Sequence, residues 1–236
     1  MGAVKKMIYR SMQKSGRRPE AGRDPGETAR SRGRPRAFDR EAALAHATRL
    51  FWLKGYEATS IADLTQAMGI GSPSLYAAFG SKEALYLEVL RHYTERYEAS
   101  VWGGFRAAGT AREAVSTYLL DSAAALTGSL GDQPLGCMVT LFSVGGAGHA
   151  DLGERMRAAR AVTLERLEAR LARAVAEGEI PASTDLRALA RFVQTVQSGM
   201  SILARDGVGR AELEAAAALA MLGWDARLGA SAGGPA

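Results

Sequence analysis

Ser60-Ile61-Ala62-Asp63-Leu64-Thr65-Gln66-Ala67-Met68-Gly69-Ile70-Gly71-Ser72-Pro73-Ser74-Leu75-Tyr76-Ala77-Ala78-Phe79 is the stretch on which the fold turns. Ser60 with Asp63 three residues later has the spacing of a capping box and opens a short helix. Met68-Gly69-Ile70-Gly71 reads as a tight connection, and Ser72-Pro73 opens a second short helix with proline tolerated in its first turn. Upstream, Asp39 caps a helix whose apolar residues Ala43, Ala47, Leu50 and Phe51 recur at helical spacing, and Gly55 closes it. Downstream, Ser81 caps a longer helix that carries Tyr86, Val89, Leu90, Tyr93 and Tyr97 on one stripe.

Three helices in this short space, the second and third joined by a glycine-containing turn, form the layout of a helix-turn-helix. Such a unit braces one helix on the phosphate backbone and sends the next into the major groove, its first residues at the base edges. The second helix must therefore begin with side chains that allow close approach. Ser72, Pro73 and Ser74 are small and uncharged.

The remaining pattern is also helical. Thr110 and Glu113 have capping-box spacing. Leu164, Leu167, Leu171 and Val175 mark a long amphipathic helix ending near Gly178; Leu189, Val193, Val196, Met200 and Leu203 mark another, closed near Gly207. Leu213, Ala217, Met221 and Trp224 mark the last. Met138–Val144 is an apolar run that periodicity leaves open between strand and helix. Glycines at 103–104, 128, 131 and 145–146 are expected to break the helices of this half.

Composition narrows the function. The 236 residues are 47% apolar and 23% charged, which excludes wholesale disorder. A single cysteine, Cys137, excludes an internal disulfide and fits a reducing, cytoplasmic setting. The 18-residue run free of Asp, Glu, Lys and Arg at residues 133–150 is too broken by Pro and Gly to span a membrane. The N-terminus lacks the apolar run of a secretory leader. Residues 1–36 hold 11 basic residues against three acidic ones, a net +8, while the rest of the chain holds 19 against 22. The positive charge therefore belongs to an arm, expected to be disordered, that suits a polyanion; a merely solvated segment is the alternative.

Gly33-Arg34-Pro35-Arg36, Phe51, Gly55-Tyr56-Glu57-Ala58-Thr59-Ser60-Ile61 and the run from Met68 to Leu85 together resemble the DNA-binding domain of TetR/AcrR-type transcriptional regulators. The resemblance is close over about residues 34–90 and elsewhere extends only to length and helical pattern. It implies an all-α protein with an N-terminal three-helix helix-turn-helix domain and a helical-bundle domain for ligand binding and dimerisation. The expected organisation is an arm (1–33), a DNA-binding domain (34–84), a ligand and dimerisation domain (85–228) and a flexible tail (229–236).

The resemblance also assigns roles. Thr59 and Ser60 lie at a phosphate or act as caps; Ser72, Pro73 and Ser74 face the major groove; Tyr76 contacts DNA from the recognition helix or packs in the core. Lys82 pairs with a phosphate or is simply solvated. Arg34 and Arg36 reach a groove or belong to the solvated arm. Gly71 stands where the family usually has Ser or Thr, so Ser72 is expected to share the capping.

The expected partners are a pseudo-palindromic operator DNA, a second copy of the chain through the last two helices, and a small, largely apolar effector. Trp102, Phe105, Tyr118, Met138, Phe142, His149, Phe192 and Gln197 are the candidate pocket lining, and plain core is the alternative for most. Cys137 reads as a buried small hydrophobe, or as a redox- or electrophile-sensing thiol. No P-loop, dinucleotide fingerprint, HExxH, CxxC or nucleophile elbow occurs, and the three histidines are far apart, so no enzyme, cofactor or metal site is nominated. The rival functions are a helical binding protein or enzyme without DNA binding, and a constitutive DNA binder with a steep salt dependence.

Overall fold

The computed structural model describes residues 39–129, 134–142 and 150–232, which hold eight helices and no strand. Arg34, Arg36, His149 and the basic arm lie outside them, as do Gly131, Gly145 and Gly146. The helices are α1 (Arg40–Lys54), α2 (Ile61–Met68), α3 (Ser72–Phe79), α4 (Lys82–Ala107), α5 (Ala111–Leu126), α6 (Ala150–Ala176), α7 (Leu186–Arg205) and α8 (Arg210–Ala232).

Local chemistry accounts for the first four. The Asp39 side chain accepts from Ala42 N, and Gly55 closes α1 at φ 78°. Ser60 and Asp63 form a full reciprocal capping box on α2. Gly69 adopts φ 67°, ψ 32°, the left-handed conformation that lets the chain leave α2 and start α3 three residues later. Ser81 accepts from Ala84 N at the start of α4.

A shared core fixes these helices. Leu64 of α2 and Leu75 of α3 are fully buried and pack with Phe51 of α1 and Leu85 and Tyr86 of α4. The Phe51 and Tyr86 rings meet edge-on at 4.9 Å, as do Trp52 and Tyr93 at 4.8 Å. On the outside, the Arg40 guanidinium pairs with both carboxylate oxygens of Glu88, tying the start of α1 to α4.

In the second half α5 is central and packs on α4, α6, α7 and α8. Several expectations are corrected here. Gly103-Gly104 does not break a helix: both lie inside α4, which also runs unbroken across position 84/85. A Cβ on Gly104 would come within 2.4 Å of the Thr117 methyl, so this glycine lets α5 approach closely. Gly128 does mark an end, at φ 70° just past α5. Thr110 caps Glu113 N, but the Glu113 carboxylate takes Gly109 N instead of completing the box. The helix α8 continues to Ala232, beyond the point where the tail was expected to begin.

Residues 138–142 are neither strand nor helix but a series of turns. Their stretch of chain is held by side chains from elsewhere. Gly136 O accepts the Trp52 indole at 3.1 Å, Val139 O accepts Arg160 at 3.1 Å, and Leu135 O accepts Arg205 at 3.2 Å. With these carbonyls satisfied across the fold, neither a strand ladder nor a helix is needed.

Candidate DNA-facing surface and internal cavity

The outer face of α3 is bare. Ser72, Pro73 and Ser74 are exposed, and Tyr76 is 48% exposed while Leu75 beside it is fully buried. The two neighbours separate because successive helical residues point about 100° apart, so one ring of α3 faces the core and the next faces out. No side chain caps the first turn of α3. Ser72 therefore does not take over the capping left by Gly71, and the leading N–H groups stay open to an anion. On its exposed face α3 offers close approach, hydroxyl groups and one phenol.

The flanking residues divide. Thr59 is fully buried and its hydroxyl donates to Gly55 O at 2.6 Å, so its role as a DNA contact is corrected: it locks the turn between α1 and α2. Ser60 is exposed, but its hydroxyl donates to Asp63 at 2.9 Å and accepts from Asp63 N at 3.0 Å. A phosphate contact through that proton has to displace Asp63. Lys82 is half-buried, its ammonium 4.3 Å from the centre of the Tyr56 ring. Burial draws its pKa below the lysine range, with the nearby Glu57 carboxylate opposing.

Asp63 is the most perturbed acid of this surface. The Ser60 backbone N–H, the Lys54 ammonium and the Ser60 hydroxyl together hold its carboxyl at about 2. A depressed pKa adds stability that is complete above the ordinary carboxylate value, near 4, and lost as pH falls towards about 2. The thermal midpoint of wild type minus that of Asp63→Asn is thus expected to be constant from about pH 5 upward and to shrink between about pH 4 and pH 2. A difference that stays flat down to pH 2 contradicts this assignment.

A cavity of about 280 Å³ lies within the helices of the second half. Trp102, Tyr118 and Gln197 line it, as expected from sequence, and so do Tyr93, Tyr97 and Cys137. Phe105 is buried but stacks edge-on against Trp102 at 5.0 Å behind the wall. Met138 and Phe142 instead line a separate cleft of about 420 Å³ beside Trp52 and Tyr56 at the end of α1. Phe192 is 40% exposed on the outside of α7 and lines neither. These four, Phe105 included, are corrections to the expected lining; the helical phase of α7 carries Phe192 to the face opposite Gln197.

The polar part of the cavity was not foreseen. From α6 it receives Arg160, Thr163 and Arg166, and from α4 Glu98. Arg166 donates to Glu98 at 2.6 Å, Arg106 pairs with the same carboxylate, and the Arg166 guanidinium lies 5.0 Å from the Trp102 ring. Burial works to raise the Glu98 pKa, but the two guanidinium groups outweigh it and hold it low. The Tyr93 hydroxyl donates to Cys137 Sγ at 3.2 Å, while the Tyr97 hydroxyl is buried without a partner. Arg160 lies four residues before Leu164, on the apolar stripe of α6, and sequence reasoning missed it because its charge suggests solvent; Arg166 lies off that stripe.

Beside the cavity the chain is fastened to α1. Cys137 N donates to the Ser201 hydroxyl at 2.8 Å. Arg205 of α7 bonds Leu135 O at 3.2 Å and also reaches Trp52 O at 3.0 Å and Leu53 O at 2.6 Å, at the end of α1. Among the described residues no helix is long and apolar enough to cross a membrane, and no three acidic, His or Cys side chains gather as a metal site.

Known proteins resemble this arrangement. Residues 43–89 match the sequence profile of the bacterial regulatory proteins of the tetR family. The HTH-type transcriptional repressor ComR of Escherichia coli (strain K12) is 38% identical over 186 residues, 78% of this chain and 88% of ComR. The HTH-type transcriptional repressor BdcR of the same strain is 52% identical over 61 residues, 26% of this chain and 31% of BdcR. Among solved structures, a cysteine mutant of the TetR family transcriptional regulator CifR, complexed with 26 bp double-strand operator DNA, is 39% identical. It superposes with a TM-score of 0.75 over 80% of this chain and 98% of its own.

Proposed function

The chain belongs to the TetR family of bacterial regulatory proteins, and from that premise we propose that it is a repressor that binds a pseudo-palindromic operator as a homodimer and is released by a small molecule held in the cavity. It is a DNA-binding transcriptional regulator and not an enzyme. The observation that carries the reading is α3: Ser72, Pro73, Ser74 and Tyr76 stand out from a helix whose Leu75 and Phe79 are locked in the core. A rigid helix with an uncapped, uncrowded first turn suits insertion into a major groove.

The proposed domains follow the same division: α1 to α3 with the start of α4 read DNA, and the remainder of α4 to α8 holds effector and partner. A two-fold pair presents two copies of α3, whose separation must match successive major grooves. An effector acts by binding better to the state with the wrong separation. The connection from the cavity wall through Trp52 and Arg205 to α1 gives that shift a route.

Selection of bound duplexes from a random library by the purified full-length chain tests the reading. The expected outcome is enrichment of two inverted half-sites, centred about one helical turn or a multiple of it apart. Binding that is steeply salt-dependent without any enriched sequence overturns the operator-specific reading in favour of a constitutive binder.

A further inference from the structure

The charges lining the cavity do not balance. Glu98 is taken by Arg106 and Arg166. Arg160 has no carboxylate partner among the described residues; its guanidinium donates from Nη1 to Val139 O at 3.1 Å. A guanidinium carries five N–H donors in a planar fork, so most of its capacity is unused. A half-buried cation without a counter-charge is costly unless something pairs with it. The protein interior here already disfavours the charge, through burial first and the neighbouring Arg157 second.

Around Arg160 the wall is aromatic: Tyr93, Tyr97, Trp102 and Tyr118. At about 280 Å³ the space is at the small end of ligand pockets. The buried, unpartnered Tyr97 hydroxyl offers a second polar contact within it. A planar anion on a small apolar body fits this set: a carboxylate matches the guanidinium fork with two parallel bonds, and an aryl or short alkyl group fills the aromatic side. The small, largely apolar effector expected from sequence thereby gains an anionic group, because α6 brings a cation to the cavity from a distant part of the sequence.

Arg160 is also the cavity's grip on the turn segment. It holds Val139 O, while three residues earlier Gly136 O holds the Trp52 indole, and Leu135 O shares Arg205 with the end of α1. We propose that the effector is a small organic carboxylate that pairs with Arg160, and that this pairing draws the guanidinium from Val139 and loosens the 135–139 segment that fastens α1. This rests on the reading of the cavity as the effector site. Val139 O holds one of the five donors, and a carboxylate that takes the free edge of the planar fork turns the whole guanidinium, Nη1 included, towards the cavity, which links ligand binding to release of the segment.

Benzoate and phenylacetate, with benzamide and phenylacetamide as uncharged matches, serve as probes. Each is titrated against the full-length protein by calorimetry and, in parallel, against its complex with a selected duplex. The acids are expected to bind at least about tenfold more tightly than the amides and to release the duplex. Arg160→Gln is expected to erase the preference, and Arg160→Lys to keep part of it. Amides that bind and release as well as the acids overturn the ligand class while leaving the effector site standing; an acid preference that survives Arg160→Gln overturns the pairing with Arg160. Binding of none of the four also overturns the class. Acid binding that depends on Arg160 but never releases the duplex overturns the coupling and, with it, the effector reading of the cavity.

Discussion

Tyr76→Ala is expected to lower affinity for a selected operator by about 10- to 100-fold, or about 1.4–2.8 kcal/mol, with no change in fold. Tyr76 is 48% exposed on α3, and its hydroxyl makes no hydrogen bond among the described residues. Its removal takes nothing from the core, because Leu75 and Phe79 hold the inner face of the same helix. The thermal midpoint should therefore stay within about 2 °C of wild type. Tyr76→Phe separates the two contributions of the ring. If the hydroxyl bonds a phosphate or base, Phe behaves like Ala; if the ring packs on a sugar or a thymine methyl, Phe behaves like wild type.

Lys82→Ala supplies the contrast. A phosphate contact weakens all sequences alike and lowers the slope of log affinity against log salt by about one. Its ammonium has first to leave the Tyr56 ring, so the loss should be smaller than for Tyr76. Operator affinity of Tyr76→Ala equal to wild type removes α3 from the interface.

Leu222→Glu is expected to turn the protein into a monomer and to cut operator affinity by about 100-fold or more. Leu219 and Leu222 of α8 are 68% and 63% exposed, and Phe192 and Leu203 of α7 are 40% and 45% exposed. The two helices meet there: a Cβ on Gly223 would lie 3.9 Å from the Phe192 ring. Large apolar side chains concentrated on one pair of helices mark a surface that another molecule covers. In the proposed homodimer a second copy of the same face closes it by two-fold symmetry as a four-helix contact.

Glutamate at 222 places two carboxylates in that contact, one from each copy, and burying them unpaired is strongly unfavourable. In the monomer the same side chain remains in water, so folding is unaffected. Light scattering should read about twice 25.0 kDa for wild type and 25.0 kDa for the variant. The loss of DNA affinity follows from losing the second half-site, which a dimer binds at an effective concentration of about millimolar. A Leu222→Glu protein that still measures as a dimer refutes the α7–α8 interface.

The amino-acid sequence alone determined the bounds of α1 to α3, the start of α4 and the small, uncharged opening of the candidate DNA-facing helix. Caps at Asp39, Ser60 and Ser81, stops at Gly55 and Gly69, and the run Ser72-Pro73-Ser74 act within a few residues, so their consequences can be read in order along the chain. The exposure of Tyr76 beside a buried Leu75 follows from helical phase once α3 is placed.

Tertiary packing decided the rest. Thr59 became structural because the packing of the helices buried it fully, leaving its hydroxyl to Gly55 O alone. The apolar run near 138–142 became turns because Trp52, Arg160 and Arg205, distant in sequence, satisfy its carbonyls. Phe192 faced outward although its composition suits a pocket, and Arg160 faced inward although its charge suits solvent. These outcomes depend on which faces of α4, α6 and α7 meet. A single chain pattern carries the period of each helix but not its rotation against partners many residues away.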